Sequence, residues 1–150
     1  MSTPFHPARL EATWPEALLL HGIRLRVGPE VAASYRRAGQ FLQVRLPGQA
    51  DGSYFAIANG PGSNAIELLV KHGEGLPDEL IALPAGATVE TTEAMGAGFP
   101  LVENRGRDVL LFATGSGIAP IRAALQEILA DRARYGEISL YFGVRTPDAL

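Results

Sequence analysis

The sequence predicts a small antiparallel β barrel or sandwich followed by a parallel α/β unit, and two observations carry that reading. Short apolar runs broken by Gly and Pro fill residues 1–106. From Arg107 onward the pattern changes to strand, glycine loop, amphipathic helix and strand. The 150 residues suffice for one medium domain, or for a small domain with part of a second.

In the first region the candidate strands are Ala17–Val27, Gln40–Leu46, Tyr54–Ala58, Ala65–Lys71 and Thr88–Thr92. His21–Val27 and Phe41–Leu46 partly alternate apolar with polar residues, as half-buried strands do. Turn chemistry separates them at Gly28-Pro29, Pro47-Gly48, Asp51-Gly52, Asn59-Gly60-Pro61-Gly62 and Ala85-Gly86. Asp78–Ile81, after Pro77, reads as one short helix. Trp14 and Tyr35 are expected to pack in the barrel, and Glu67 and Glu90 to lie on solvated strand faces.

In the second region Val109–Ala113 is a continuous apolar run, expected to be a strand covered on both faces. Ile118, Ile121, Leu125, Ile128 and Leu129 then form one helical stripe that ends near Gly136, and Ile138–Phe142 resumes a strand. This is a βαβ unit. Two strands and one helix leave a sheet edge and most of the sheet's faces uncovered. The natural chain is therefore expected to continue past Leu150, the alternative being a partner chain that completes the sheet. The expected division is residues 1–106 and 107–150.

Composition excludes several classes. Thirteen basic against sixteen acidic residues give a net charge of −3, which does not fit a polybasic nucleic-acid binder. The chain has no cysteine, so it has no disulfide, thiolate zinc site or cysteine nucleophile. His6, His21 and His72 lack metal-ligand spacing, and no metal is expected. No apolar run approaches a membrane span and no secretion signal is evident, so a cytoplasmic protein is expected. No Ser-His-Asp set can be assembled, and no acid–base or nucleophilic catalytic residue is assigned.

Thr114-Gly115-Ser116-Gly117-Ile118-Ala119-Pro120 is the most informative segment. Its glycines let the backbone approach a ligand closely, and Pro120 suits a first helical turn. A helix amino end facing such a loop favours phosphate or pyrophosphate. The segment is neither a P-loop nor a full G-x-G-x-x-G fingerprint, because Pro120 occupies the last position. A plain strand-to-helix turn is the competing reading.

Gly115–Arg122 resembles the nucleotide-binding loop of the ferredoxin–NADP reductase superfamily, and Tyr141–Pro147 resembles the end of that family's second parallel strand. Gly39–Pro47 is similar to the barrel strand before its flavin motif, and Gly96–Pro100 to the loop leaving the barrel. The chain looks most like a branch of that family that includes a plant fruit protein. The resemblance implies a six-stranded antiparallel flavin-type barrel that cups the flavin, followed by the first, incomplete part of a parallel nucleotide-binding domain. It implies FAD and NAD(P) as cofactors, hydride passing from NAD(P)H to FAD, and an electron acceptor that can be a protein. Gly115, Ser116 and Gly117 would hold the dinucleotide pyrophosphate, and Arg145 would lie near the adenosine end. The alternative is a flavin-free nucleotide-binding or scaffold protein that kept the fold.

The chain departs from the family's flavin motif, Arg-x-Tyr-Ser. Registered on that motif, Ser53 replaces the arginine, Phe55 the tyrosine and Ala56 the serine; a one-residue slip would keep Tyr54 as the tyrosine. Neither register restores the charge. Asn59 would line the flavin's outer edge. The family's second phosphate contact becomes Gly73-Glu74-Gly75, where Gly75 precedes the helix and Lys71, the only lysine, would compensate for lost charge.

Overall fold

The computed structural model describes residues 3–150. Its first sheet has six antiparallel strands: β1 (His6–Ala17), β2 (Leu20–Val27), β3 (Phe41–Arg45), β4 (Ser53–Ala56), β5 (Ala65–Lys71) and β6 (Thr88–Thr91). The strand order is β4-β3-β6-β1-β2-β5. The two end strands meet at a bridge between Ile57 and Leu68, where the Ala58 N–H donates to the Glu67 carbonyl at 2.8 Å. The sheet is therefore closed into the expected barrel.

Strand alternation fills the interior. Leu10, Ile23, Leu25, Leu42, Val44, Ile66 and Leu68 are fully buried and form one core with Val70, Val89 and Leu80. These side chains fill the interior of the barrel.

The first strand differs from the sequence expectation. Ala17–Val27 is not one strand: Leu18 and Leu19 form the tip of a hairpin, with Leu19 at a φ of 58°. Its partner, β1, escapes sequence reading because Pro7 and Pro15 look like strand breakers. Pro15 adjoins a register irregularity between Pro15 and Ala17, where an interrupted ladder tolerates a missing N–H. The short helix α1 (Pro29–Ser34) was read as a turn at Gly28-Pro29; Pro29 instead starts the helix and Val31 inserts into the core. The expected short helix is present as α2 (Leu76–Ala82), anchored by buried Leu80.

A second sheet pairs β7 (Val109–Thr114) in parallel with β8 (Ile138–Gly143), joined through α3 (Ile118–Ala130). Two expectations are corrected here. The helix buries Ala119, Ala123, Ala124 and Ile128, whereas Leu129 is exposed, and it ends at Ala130. Ala123, Ala124 and Ile128 pack on Leu111 of β7, with Ile121 and Leu125 partly buried beside them. Nor is β7 covered on both faces. Leu111 and Ala113 lie under α3, but Leu110 and Phe112 are 61% and 64% exposed, because among the described residues β8 is β7's only strand neighbour and no second helix covers that side. Phe112 stacks on Tyr141 of β8 with ring centres 5.2 Å apart.

Candidate functional site

The carboxyl ends of β7 and β8 are level, with Thr114 paired to Gly143. Beyond Thr114 the chain makes a single 3₁₀ turn over Gly115–Gly117 and enters α3 at Ile118. Gly115 takes a φ of 53°, which favours glycine. A β-carbon at Gly115 or at Gly117 would meet nothing within 4 Å, so the loop faces open space. Gly117 precedes the helix with no side-chain cap; the Ile118 N–H already donates to the Gly115 and Ser116 carbonyls, and the helix dipole still points its positive end at the loop. Arg145, exposed, lies two residues past β8 at the same edge. In open parallel sheets, ligands settle at this carboxyl edge. An open, shallow depression of about 700 Å³ lies on the uncovered face of the two strands, bounded by Phe112, Thr114, Tyr141 and Gly143 among others, and stops short of the glycine loop.

The helix amino end sits against the barrel seam. Ile118 and Ala119 pack with Ala56 and Ala58 beside β4 and with Leu20 and Leu69 from β2 and β5. The seam is stitched at Ile57–Leu68, whereas Ser53–Ala56 pair with β3 alone. Along this stretch Tyr54 points outward, 65% exposed and edge-on to Phe41 at 5.8 Å between ring centres. Phe55 pairs across from Leu42 and packs on the barrel core. Of the two sequence registers, the slipped one thus puts an aromatic face on the accessible side. The structure brings Ala56 against the start of α3, next to Gly115, Ser116 and Gly117, with Tyr54 two residues earlier on β4.

Other expected site residues are engaged elsewhere or stand apart. Asn59 is buried and serves the loop it begins: its Oδ1 accepts the Glu67 N–H and its Nδ2 donates to the Ala65 carbonyl, both at 2.8 Å. The Tyr35 hydroxyl, inside the core as expected, donates to the Asn59 carbonyl at 2.5 Å. Burial, and then the charge of Glu127, push that phenol well above its ordinary range. Lys71 ends β5 in solvent. Gly75 caps α2 with a φ of 84°, and the Asp78 carboxylate accepts the Gly73 N–H at 3.1 Å.

Sequence reading missed the polar contacts that fix α3 to the barrel. Glu67 is not a solvated carboxylate: its side chain is 14% exposed and faces Arg122 of α3 at 3.6 Å and Arg24 of β2 at 3.9 Å. Glu90 pairs with Arg45 at 2.9 Å. Glu127 accepts the Ala38 N–H at 3.3 Å, and burial raises its pKa above the usual carboxylate range against the pull of that hydrogen bond and of Arg37. Gln126 accepts the Gly60 N–H at 2.9 Å. One sequence signal was available, since Arg122, Gln126 and Glu127 recur at helical spacing outside the apolar stripe. Trp14 also differs from expectation: its indole lies over Gly22 outside the core, with the Arg24 guanidinium 5.5 Å from the ring centre.

The loop fits a dinucleotide's phosphates: open glycine backbone, an uncapped thirteen-residue helix and no carboxylate in its first turn. The seam fits a flat ring through Tyr54 and small Ala56. For a second diphosphate near Gly75 the fit is poorer, because Asp78 and Glu79 occupy the first turn of α2 and Lys71 is the nearby lysine. Among the described residues, no group of three or more His, Asp or Glu side chains is arranged to hold a metal. No helix there is long and apolar enough to cross a membrane.

Comparison with known proteins agrees with this geometry. The oxidoreductase NAD-binding domain family matches residues 111–150. The gamma subunit of sulfhydrogenase 1 from Pyrococcus furiosus is 30% identical over 74% of this chain and 38% of its own length. The fruit protein pKIWI502 of Actinidia deliciosa is 24% identical over 99% of this chain and 51% of its own. The electron transfer subunit of an NAD⁺-type dihydroorotate dehydrogenase B from Shouchella clausii is 30% identical over 70% and 42%. The chain thus spans about half or less of the length of these relatives. Among solved structures, a ferredoxin–NADP⁺ reductase from Neisseria gonorrhoeae with bound FAD and NADP superposes with a TM-score of 0.80 at 22% identity, covering 97% of this chain and 60% of that one. Phthalate dioxygenase reductase gives a TM-score of 0.80 at 21% identity, covering 97% and 45%. By fold the chain is similar to ferredoxin–NADP⁺ reductases, and its residues 111–150 match the oxidoreductase NAD-binding domain family.

Proposed function

We propose that this chain is the flavin- and nucleotide-binding part of an NAD(P)H oxidoreductase or of its electron-transfer subunit. The observation that carries the proposal is the packing of Ile118 and Ala119, at the start of α3, against Ala56 and Leu69 of the seam. One short stretch of backbone thereby serves two ligands: the open glycine loop on one side and the accessible seam on the other. A bound flavin would supply hydride acceptance from NAD(P)H and onward electron transfer. The chain's own task is positioning. Gly115, Ser116 and Gly117 offer backbone to a pyrophosphate, Arg145 offers a guanidinium to the adenosine end, and Tyr54 and Ala56 provide a flat wall for the ring. Ser53 and Phe55 shape that wall from behind, Asn59 holds the loop that follows it, and Lys71 and Gly75 mark the far end where a second diphosphate would lie. A protein acceptor follows from the relatives named as subunits, and a cytoplasmic setting goes with an NAD(P)H donor.

A second reading, a flavin-free nucleotide binder, is favoured by one observation. Ser53 carries no charge, Phe55 is packed on the core and Ala56 has no hydroxyl, so the seam offers a ring little beyond contact. Reconstitution separates the two. The chain is incubated with FAD and passed over a desalting column, and its visible spectrum is recorded before and after anaerobic NADPH or NADH. Retained flavin absorbance that bleaches with either nucleotide supports the proposal. A colourless protein that still binds nucleotide supports the second reading.

A further inference from the structure

The fold joins two histidines that lie 51 residues apart in the chain. His21 on β2 and His72 just past β5 bring Nδ1 and Nε2 to 3.1 Å, with ring centres 4.7 Å apart and planes at 80°. On the far side of His72, Nδ1 lies 3.1 Å from Asp78 Oδ1. That carboxylate is held by the Gly73 N–H, also at 3.1 Å, and the His72 N–H donates to the Leu19 carbonyl at 2.8 Å. His72 is thus fixed by its own backbone and by a carboxylate anchored in its own loop.

We infer that His21 Nδ1 and His72 Nε2 form a two-imidazole site for a borderline divalent transition ion such as Zn²⁺. A carboxylate that accepts the Nδ1–H of an imidazole leaves Nε2 with a lone pair and orients it, the arrangement that supports metal-bound histidines. Metal–nitrogen bonds of about 2.0–2.1 Å at a tetrahedral angle separate two ligand nitrogens by about 3.4 Å. The observed 3.1 Å is a hydrogen bond in which His21 Nδ1–H faces the His72 Nε2 lone pair; an ion takes its place when His21 carries its proton on Nε2 and the two partly exposed side chains open slightly. Imidazole donors suit zinc, copper or nickel and do not suit calcium or magnesium. With two protein donors, water completes the coordination, and the ion rivets the β2–β5 end of the barrel to the loop that enters α2. The site is distinct from the Gly115–Gly117 loop but adjoins Lys71 and Gly75, so its test uses zinc binding and needs neither flavin nor nucleotide.

The test uses the full chain without an affinity tag, with its three histidines as internal controls. Zinc chloride is titrated calorimetrically into metal-free protein, and circular dichroism confirms that each variant is folded. The expected result is one saturable site, weakened at least tenfold by His21→Gln and by His72→Gln and unchanged by His6→Gln. Asp78→Asn is expected to weaken it about tenfold or more. Zinc should also raise the wild-type melting temperature by about 5 °C when present at about a hundred times its dissociation constant. The inference is overturned by an absence of saturable heat in the wild type, or by zinc binding that survives in folded His21→Gln and His72→Gln.

Discussion

Arg122 of α3 reaches Glu67 of β5 at 3.6 Å, tying the helix that follows the glycine loop to the strand that closes the barrel. Glu67 also faces Arg24 at 3.9 Å and is mostly buried, so two guanidinium groups share one shielded carboxylate. The Arg122 Nη1 atom is buried and this carboxylate is its counter-charge. Glu67→Gln is therefore expected to destabilise the chain by about 1–3 kcal/mol, because a buried cation loses its partner. Urea unfolding measures the loss; Arg24→Gln, which removes the more exposed partner, should cost less.

Glu127 yields a pH dependence. Its folded pKa is raised by burial above the value in the unfolded chain. The folded state then binds the proton more tightly, so this group favours folding at acid pH and loses that contribution as pH rises through the folded pKa. Glu127→Gln keeps an acceptor for the Ala38 N–H without the buried charge. It is expected to raise the melting temperature by about 1–3 °C at pH 7, with the advantage over wild type vanishing below about pH 4. Thermal melts of both proteins across that range provide the check.

Gly22 is required by Trp14. A β-carbon at position 22 would overlap the indole that lies across it. Gly22→Ala is expected to cost about 1–3 kcal/mol through overpacking, and Trp14→Leu in the same chain should recover part of the loss. Chemical denaturation of the two variants and the double variant measures the coupling.

Much of this architecture can be read from residue order alone. β3 and most of β2 follow from alternation, β5 and β6 from short apolar runs between turn residues, and β7, β8 and α3 from the change of period at Arg107. What escaped depends on contacts between distant segments. β1 is hidden by Pro7 and Pro15, which behave as strand residues only because neighbouring strands supply the ladder around them. The open face of β7 was foreseeable from the count of two strands and one helix; the expectation of cover on both faces failed because a run such as Val109–Ala113 records hydrophobicity and does not record what covers it. The glycine loop was legible, since strand, Gly-Ser-Gly and helix are contiguous. The wall opposite it was not: the accessible ring belongs to Tyr54 or Phe55 according to strand parity, which the pairing of Leu42 with Phe55 decides. The Glu67–Arg122 pair and the two histidines likewise arise only when β5 lies beside β2 and α3.

The loop at the end of β7 is tested most directly by amide nuclear magnetic resonance of the ¹⁵N-labelled chain during titration with NADPH and, separately, NADH. One of the two should shift Gly115, Ser116 and Gly117 saturably, with smaller changes at Val144 and Arg145. Resonances of those residues that stay in place with both nucleotides, while the protein remains folded, would contradict the account.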